Sequence, residues 1–133
     1  MRKYHFVIAC GILLVIAACK KGPGEGGSSH IKGKVLLLDY NGNYPVLDTM
    51  YYKSEEDIYI VYGEGSTYDE RFRTSYDGSY EFKYLRKGTY KVFVYSDDST
   101  GLSPSGRIEV LRTIEIDENR KTYMVPDLVI VKN

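Results

Sequence analysis

The chain has 133 residues, of which 43% are hydrophobic and 27% charged, and its 18 basic and 18 acidic side chains leave no formal net charge. This length suits one domain of ordinary size, and the balanced charge argues against a nucleic-acid partner, which needs a basic surface to neutralise phosphates. Fourteen tyrosines, thirteen glycines and no tryptophan favour an all-β domain over a helical one.

The first nineteen residues have the features of an export signal. Arg2 and Lys3 precede an apolar stretch that ends at Ala18, long enough for a secretory signal but too short to span a bilayer comfortably. The segment Ile16-Ala17-Ala18-Cys19 resembles the bacterial lipobox, in which small residues precede a cysteine that receives a lipid. The resemblance implies cleavage between Ala18 and Cys19 and acylation of the Cys19 thiol.

Two alternatives to this processing site are open. The segment Val7-Ile8-Ala9-Cys10 fits the same pattern, but cleavage there would strand an apolar run on the mature protein. Cys19 could also end an uncleaved anchor helix, although the apolar run is short and Lys20 and Lys21 follow it. Acylation at Cys19 predicts that the protein is attached to a membrane through its lipid. Lys20 stands where an aspartate would be expected in a lipoprotein of the inner membrane, which favours the outer membrane by analogy with sorting rules and leaves its periplasmic and cell-surface sides open. No free thiol would remain for a disulfide or a cysteine metal site.

The segment from Lys20 to Ser29 is rich in glycine and serine and holds no large apolar residue. This composition is typical of a flexible tether. The sequence therefore predicts three parts, which are a signal peptide over residues 1–18, a lipidated cysteine and tether over residues 19–29, and a folded domain over residues 30–133.

The predicted domain shows apolar residues at a period of two, which indicates strands rather than helices. Asp77-Gly78 predicts a hairpin between two of the strands, and Pro126 requires the last strand to be an edge strand or to bend. Turn residues separate about seven strands, as in a β-sandwich. The predicted strands are Ile31–Leu38, Asp57–Tyr62, Arg71–Ser75, Ser79–Leu85, Thr89–Ser96, Arg107–Ile116 and Lys121–Val131, with a further short strand at Tyr51 and Tyr52.

Three segments together resemble the carboxypeptidase-regulatory-like domain. They are Ile31–Val35, Thr74–Phe82 and Leu85–Val92. The resemblance implies a single seven-stranded Greek-key β-sandwich of the transthyretin (prealbumin-like) type, in which Gly88 lets the chain cross between sheets and Tyr90 forms a tyrosine corner. Lys87 departs from the family pattern, where proline often precedes the glycine. A lipidated single copy of this domain is similar to small lipoproteins of Bacteroidota-type bacteria.

The sequence offers little to support catalysis or metal binding, so we expect no enzyme, no metal and no cofactor beyond the covalent lipid on Cys19. His30 is the one histidine beyond the signal segment, and it lies at the edge of the predicted tether, where a preorganised site is hard to build. The acidic groups Glu55-Glu56-Asp57 and Asp97-Asp98, with Asp77, could serve calcium but lack the spacing of a calcium loop. We interpret them as solvated strand ends that discourage edge pairing.

The excess of tyrosine is the feature that most suggests binding. Alternation places Tyr80, Tyr84 and Tyr90 in the core, whereas other tyrosines lie in or beside loops, where they suit glycan stacking and protein contacts as well as ordinary strand surfaces. The predicted ligand-binding residues are Tyr40, Asn41, Tyr44, Tyr51 and Tyr52. The sequence thus predicts a non-catalytic accessory or scaffold lipoprotein of the cell envelope, with a glycan- or protein-binding module as the alternative and a calcium-stabilised adhesion module as a third hypothesis.

Overall fold

The computed structural model describes residues 22–133, which form an all-β sandwich of two sheets. Residues 22–133 contain nine strands, because the short strand predicted at Tyr51 and Tyr52 forms over residues 49–52 and the last of the seven predicted strands is divided at Pro126. The strands are β1 (Glu25–Asp39), β2 (Thr49–Tyr52), β3 (Asp57–Tyr62), β4 (Glu70–Arg73), β5 (Ser79–Leu85), β6 (Gly88–Asp97), β7 (Arg107–Ile116), β8 (Thr122–Met124) and β9 (Leu128–Lys132).

The five-stranded sheet is built around β1. Strands β2 and β5 pair antiparallel with successive parts of one edge of β1, and β8 and β9 pair parallel with successive parts of the other. Val35 marks the junction on the first edge, because its N–H donates to Gly78 O at 3.0 Å and its carbonyl accepts the Lys53 N–H at 2.8 Å.

The four-stranded sheet has the order β4-β3-β6-β7 and is antiparallel throughout. All ten residues of β7 pair with β6 in a continuous register, from Arg107 opposite Asp97 to Ile116 opposite Gly88. Strands β4 and β7 are therefore the two edges of this sheet.

The core lies between the sheets and follows the predicted alternation. In β1 the residues Ile31, Val35 and Leu37 are buried, and in β6 the buried row contains Val92 and Val94. Removing such aliphatic side chains from water contributes roughly 1.5–3 kcal/mol each. The remaining large core side chains come from β3, β5, β7 and the closing strands and include Ile58, Ile60, Phe82, Leu85, Ile116, Leu128 and Ile130.

The first strand begins at Glu25, so residues 25–29 belong to the sheet and not to a flexible tether. Ser29 is fully buried and its hydroxyl donates to Glu118 O at 2.6 Å. Arg86 donates to the carbonyls of Gly22 and Glu25. A composition of glycine and serine predicted flexibility because it has no apolar surface to bury, but backbone hydrogen bonds and one buried hydroxyl fix this segment instead.

The Asp77-Gly78 turn forms but does not close a hairpin. Gly78 has a φ of +76°, and its N–H donates to Ser75 O at 2.9 Å. The strands on either side separate, because β4 pairs with β3 in one sheet and β5 pairs with β1 in the other. The turn thus carries the chain across the sandwich.

Tyr84 is exposed, contrary to the alternation of β5. Its φ is +57°, which interrupts the period of two, so that Tyr84 is 64% exposed and Leu85 takes the buried position. Tyr80 and Phe82 occupy the core as predicted.

Tyr90 forms the predicted corner. Its hydroxyl donates to Arg86 O at 2.6 Å and accepts the Gly24 N–H at 2.8 Å, so it joins the turn before β6 to the segment before β1. Gly88 is required at the same place, because it has a φ of +149° and an added Cβ would lie 2.3 Å from Pro23 Cγ.

We expect Tyr90→Phe to lower the free energy of unfolding by about 1–3 kcal/mol, because it leaves the partly buried Arg86 carbonyl and the buried Gly24 N–H without their partner. Tyr80→Phe is the matched control, since the Tyr80 hydroxyl is buried and has no hydrogen-bond partner within residues 22–133. We expect that change to leave stability unchanged or to raise it. Urea unfolding at constant m-value measures both, and equal losses in the two variants would contradict the assignment.

Candidate functional site

The five ligand-binding residues predicted from the sequence do not form one surface. The rings of Tyr40 and Tyr44 contact each other in the loop after β1, with centroids 4.9 Å apart, and the Asn41 N–H donates to Asp39. Tyr51 and Tyr52 are successive residues of β2 and therefore point to opposite faces of the five-stranded sheet.

Tyr52 is held by its own partners and is not free at a loop tip. Its hydroxyl donates to Asp127 Oδ2 at 2.9 Å, and Lys34 Nζ lies 4.6 Å from the centre of its ring. Tyr51, on the other face, lines a separate depression of about 210 Å³ beside Leu37. The structure therefore assigns these tyrosines to at least three different environments.

The acidic groups mostly bind partners within the fold. Asp57 is 3.3 Å from Arg73 and 3.7 Å from Arg71, and Asp77 accepts both the N–H and the hydroxyl of Ser79. Burial raises the pKa of Glu56. Within residues 22–133, no group of three or more histidine, cysteine, aspartate or glutamate side chains is placed to hold a metal ion.

His30 lies in β1, where its Nδ1 accepts the Tyr84 N–H at 3.2 Å and its ring contacts the Tyr84 ring edge-on. This is a packing role at the end of β5.

The predicted cleavage and lipidation residues Ala18 and Cys19 lie outside the described residues. Within the described part of the chain, no helix has the length and apolar character needed to cross a membrane.

The outer face of the four-stranded sheet carries a cluster of aromatic rings that we call the aromatic groove. Its members come from β3, β6 and the loop between β3 and β4. Tyr59 is the centre, since its ring stacks on Phe93 with centroids 5.1 Å apart and also contacts Tyr68 at 4.8 Å and Tyr95 at 5.7 Å. Such ring contacts contribute about 0.5–1.5 kcal/mol each beyond the area they bury.

Strand alternation and pairing explain how these rings meet. In β6 the residues Val92 and Val94 enter the core, so Phe93 and Tyr95 must point outward. Tyr59 of β3 lies directly opposite Phe93 in the antiparallel ladder. Opposed aromatic side chains on one sheet face are within contact distance.

The groove contains a depression of about 400 Å³, which Tyr68, Phe93 and Tyr95 line and Tyr59 does not. Phe93 is only 7% exposed and forms the floor, whereas Tyr68 is 52% exposed and Tyr95 38% exposed at the sides. Leu111 of β7 lies beside them, at 39% exposure. Burial raises the pKa of Tyr59, so its hydroxyl stays protonated in neutral solution.

Polar groups surround the rings. Lys91 Nζ lies 3.6 Å from Glu64, and Glu109 lies on the β7 side of the groove. Residues 65–68 form one wall of the groove. The next residue, Asp69, holds the end of this wall to β3, because its carboxylate accepts the Tyr62 N–H at 2.7 Å. The groove thus combines flat apolar rings with hydrogen-bonding groups of both charges.

The binding residues predicted from the sequence include none of the rings of the aromatic groove. Alternation alone places Tyr59 and Val61 on one face of their strand, opposite Ile58 and Ile60, and it likewise separates Phe93 and Tyr95 from Val92 and Val94. The sequence signal for the groove is a strand face that carries several apolar residues although it does not enter the core. The solvent-exposed face of an antiparallel sheet is normally polar. The pairing of β3 with β6 is a property of the fold, and alternation within each strand does not predict it.

No protein-family model and no curated protein sequence matches the chain. Among solved structures, the fold is similar to that of a proposed carbohydrate-binding protein from Pseudomonas aeruginosa. The two chains are 12% identical in sequence, with a TM-score of 0.51, and the likeness covers 82% of this chain and 91% of that one. At this identity the likeness shows the fold alone.

The loop between β6 and β7 gives a pH-dependent prediction. The Thr100 hydroxyl and the Ser103 and Thr100 amides donate to the carboxylate of Asp98 and lower its pKa to about 2. A lowered pKa in the folded state means that these bonds are intact above the ordinary value of 3.8 and are lost as the pH falls through about 2.

We therefore expect the amide proton of Ser103 to shift with a midpoint near pH 2 in an NMR titration, and Asp98→Asn to abolish that transition. A midpoint at the ordinary aspartate value would contradict the account of this loop.

Proposed function

We propose that this chain is a lipid-anchored, non-catalytic saccharide-binding module of the cell envelope, and that the aromatic groove is its binding site. The observation that carries the proposal is the contact of Tyr59 with Tyr68, Phe93 and Tyr95 on the outer face of the four-stranded sheet. An aromatic cluster on a solvent-facing sheet surface is not needed to close the core, which lies on the other face.

The groove has the chemistry that sugar rings require. The apolar faces of pyranose rings stack on aromatic side chains, while their hydroxyl groups need donors and acceptors around the rim. Tyr68 and Tyr95 supply exposed rings, and Lys91, Glu64 and Glu109 supply the polar rim. The volume of about 400 Å³ lies within the range of small-molecule sites.

The structural neighbour supports this choice among binding functions. The Pseudomonas aeruginosa protein that shares the fold is described as a proposed carbohydrate-binding protein.

We further infer that the sandwich is a transthyretin-like Greek key in which β1, β3, β4, β5, β6, β7 and β9 are the seven principal strands. Strands β2 and β8 would then be short additions to the edges of β1.

The proposed anchor would hold the module close to the membrane. Lys20 and Lys21 are the two residues between Cys19 and Gly22, where the described chain begins. Three residue steps span at most about 11 Å. The proposed role is therefore accessory, with the domain presenting its groove near a lipid surface in the outer membrane.

Binding is tested by replacing exposed groove tyrosines. We expect Tyr68→Ala and Tyr95→Ala each to weaken binding to an oligosaccharide by about twofold to tenfold, because each loses roughly 0.5–1.5 kcal/mol of ring contact. Tyr44→Ala and Tyr76→Ala remove exposed tyrosines outside the groove and are the controls. Titration calorimetry against oligosaccharides selected from a glycan array measures the effect. Losses of equal size in all four variants would contradict a site in the groove.

Anchoring is tested separately by metabolic labelling with an alkyne analogue of palmitate in cells that express the full chain. We expect Cys19→Ser to lose the label and Cys10→Ser to keep it, since cleavage before Cys19 removes Cys10 with the signal. Persistent labelling of Cys19→Ser would contradict the assignment of the anchor.

A further inference from the structure

The depression of about 210 Å³ that Tyr51 lines adjoins the aromatic groove. Tyr95 lines both depressions, so they share this residue. Strand pairing extends the outer face of the sheet in the same direction, because Asp97 follows Tyr95 by two positions in β6 and lies directly opposite Arg107 of β7. We call this second depression the charged pocket. Its charged lining residues are Lys53, Glu56, Asp97, Arg107 and Lys132.

The charged pocket brings charges of both signs together and leaves most of them unpaired. Of its five charged side chains, only that of Lys132 belongs to an ion pair within residues 22–133, with Asp39 at 3.3 Å. Asp97 and Arg107 are partners in the β6–β7 ladder, yet no ion pair joins them. Two basic and two acidic groups are therefore available to a ligand.

The turn between β2 and β3 holds Lys53 and Glu56 in place at the pocket. The hydroxyl of the buried Thr74 donates to Lys53 O at 2.7 Å and accepts the Glu56 N–H at 2.8 Å. The Thr74 N–H in turn donates to Glu56 O at 2.9 Å. Burial raises the pKa of Glu56, so a cationic group of a ligand in the pocket would favour its ionised form.

We propose that the aromatic groove and the charged pocket together bind a saccharide that carries a short peptide. The sugar ring lies in the groove and the charged groups of the peptide lie in the pocket, so this inference rests on the proposed function of the groove. Lys53 and Arg107 bind a carboxylate of the peptide, because a guanidinium can hold a carboxylate through two N–H groups. Glu56 and Asp97 bind an ammonium group of the same peptide.

The mixture of charges selects this class of ligand. A neutral sugar that covered the pocket would remove its charged groups from water without giving them partners, which is unfavourable. A purely anionic saccharide would meet the carboxylates of Glu56 and Asp97, and like charges at a binding surface oppose association. A short peptide with both carboxylate and ammonium groups gives partners to both signs.

The spacing of the two depressions suits one such ligand. Tyr95 and Asp97 are separated by two residues of strand, or about 7 Å. A substituent on a sugar that stacks on Tyr95 can therefore reach Asp97 and the facing Arg107.

The test is titration calorimetry on the full chain in detergent with two matched probes. One probe is a disaccharide-peptide released from bacterial cell wall by a muramidase, and the other is the same disaccharide after an amidase has removed the peptide. We expect the peptide-bearing probe to bind about tenfold more tightly, because it adds charged hydrogen bonds in the pocket.

Matched variants separate the pocket from the groove. We expect Lys53→Gln and Arg107→Gln each to remove most of the gain from the peptide and to leave binding of the peptide-free disaccharide unchanged, since neither residue lines the groove. Lys87→Gln is the control, because it removes an exposed charge outside both depressions. Tyr68→Ala should weaken both probes equally, since Tyr68 lines only the groove.

The outcomes distinguish this proposal from the proposed function. Equal affinity for the two probes, or equal losses in Lys53→Gln and Lys87→Gln, would overturn the peptide-bearing ligand and leave the groove as a saccharide site. Failure of both probes to bind would also overturn it, while the oligosaccharides from the glycan array test the groove independently. Binding of both probes that Tyr68→Ala does not weaken would contradict the groove itself.

Discussion

The whole sandwich depends on the backbone of β1. Strands β2, β5, β8 and β9 belong to the five-stranded sheet only through β1, since within residues 22–133 each of them pairs with that strand and with no other. The fifteen residues of β1 are therefore shared between an N-terminal part that pairs with β5 and β8 and a C-terminal part that pairs with β2 and β9. The chain must close its C-terminal strands on its N-terminal one, which makes the key contacts distant in sequence.

The segment before β1 lies at the same end of the sandwich as the start of the loop that forms the groove wall. Tyr90 and Arg86 hold the segment around Gly24, and Pro23 packs against Gly88. Pro23 also lies beside Gly63, where the loop that forms the groove wall begins, and the Gly63 N–H donates to Thr89 O at 2.8 Å. A membrane anchor before Gly22 would thus act on the end of the domain that also positions the groove wall.

Local pattern predicted the strands well and their partners poorly. Period two identified the buried rows of β1, β3 and β6 because burial of one face is a property of each strand alone. Asp77-Gly78 predicted a turn, which exists, but the strength of a turn does not determine whether the flanking strands share a sheet. The positive φ of Tyr84 and the pairing of residues 25–29 depend on neighbours that no local pattern reveals.

In the candidate site too, local pattern predicts the position of each residue, and the fold determines its neighbours. The outward positions of Tyr59, Phe93 and Tyr95 follow from alternation, but the groove exists because β3 and β6 are neighbours although two strands separate them in sequence. The predicted binding residues lie in or beside loops, yet Tyr51 and Tyr52 lie on opposite faces of β2, and the Tyr52 hydroxyl donates to Asp127. The sequence therefore predicts which tyrosines are exposed. Only the fold determines which aromatic rings lie next to each other.

The most direct test of the account is an NMR map of ring and backbone protons during titration with an oligosaccharide that the protein binds. The account predicts that the largest shifts fall on Tyr59, Tyr68, Phe93 and Tyr95, with the loop that carries Tyr40 and Tyr44 unaffected. Shifts confined to that loop, with the groove rings unchanged, would contradict it.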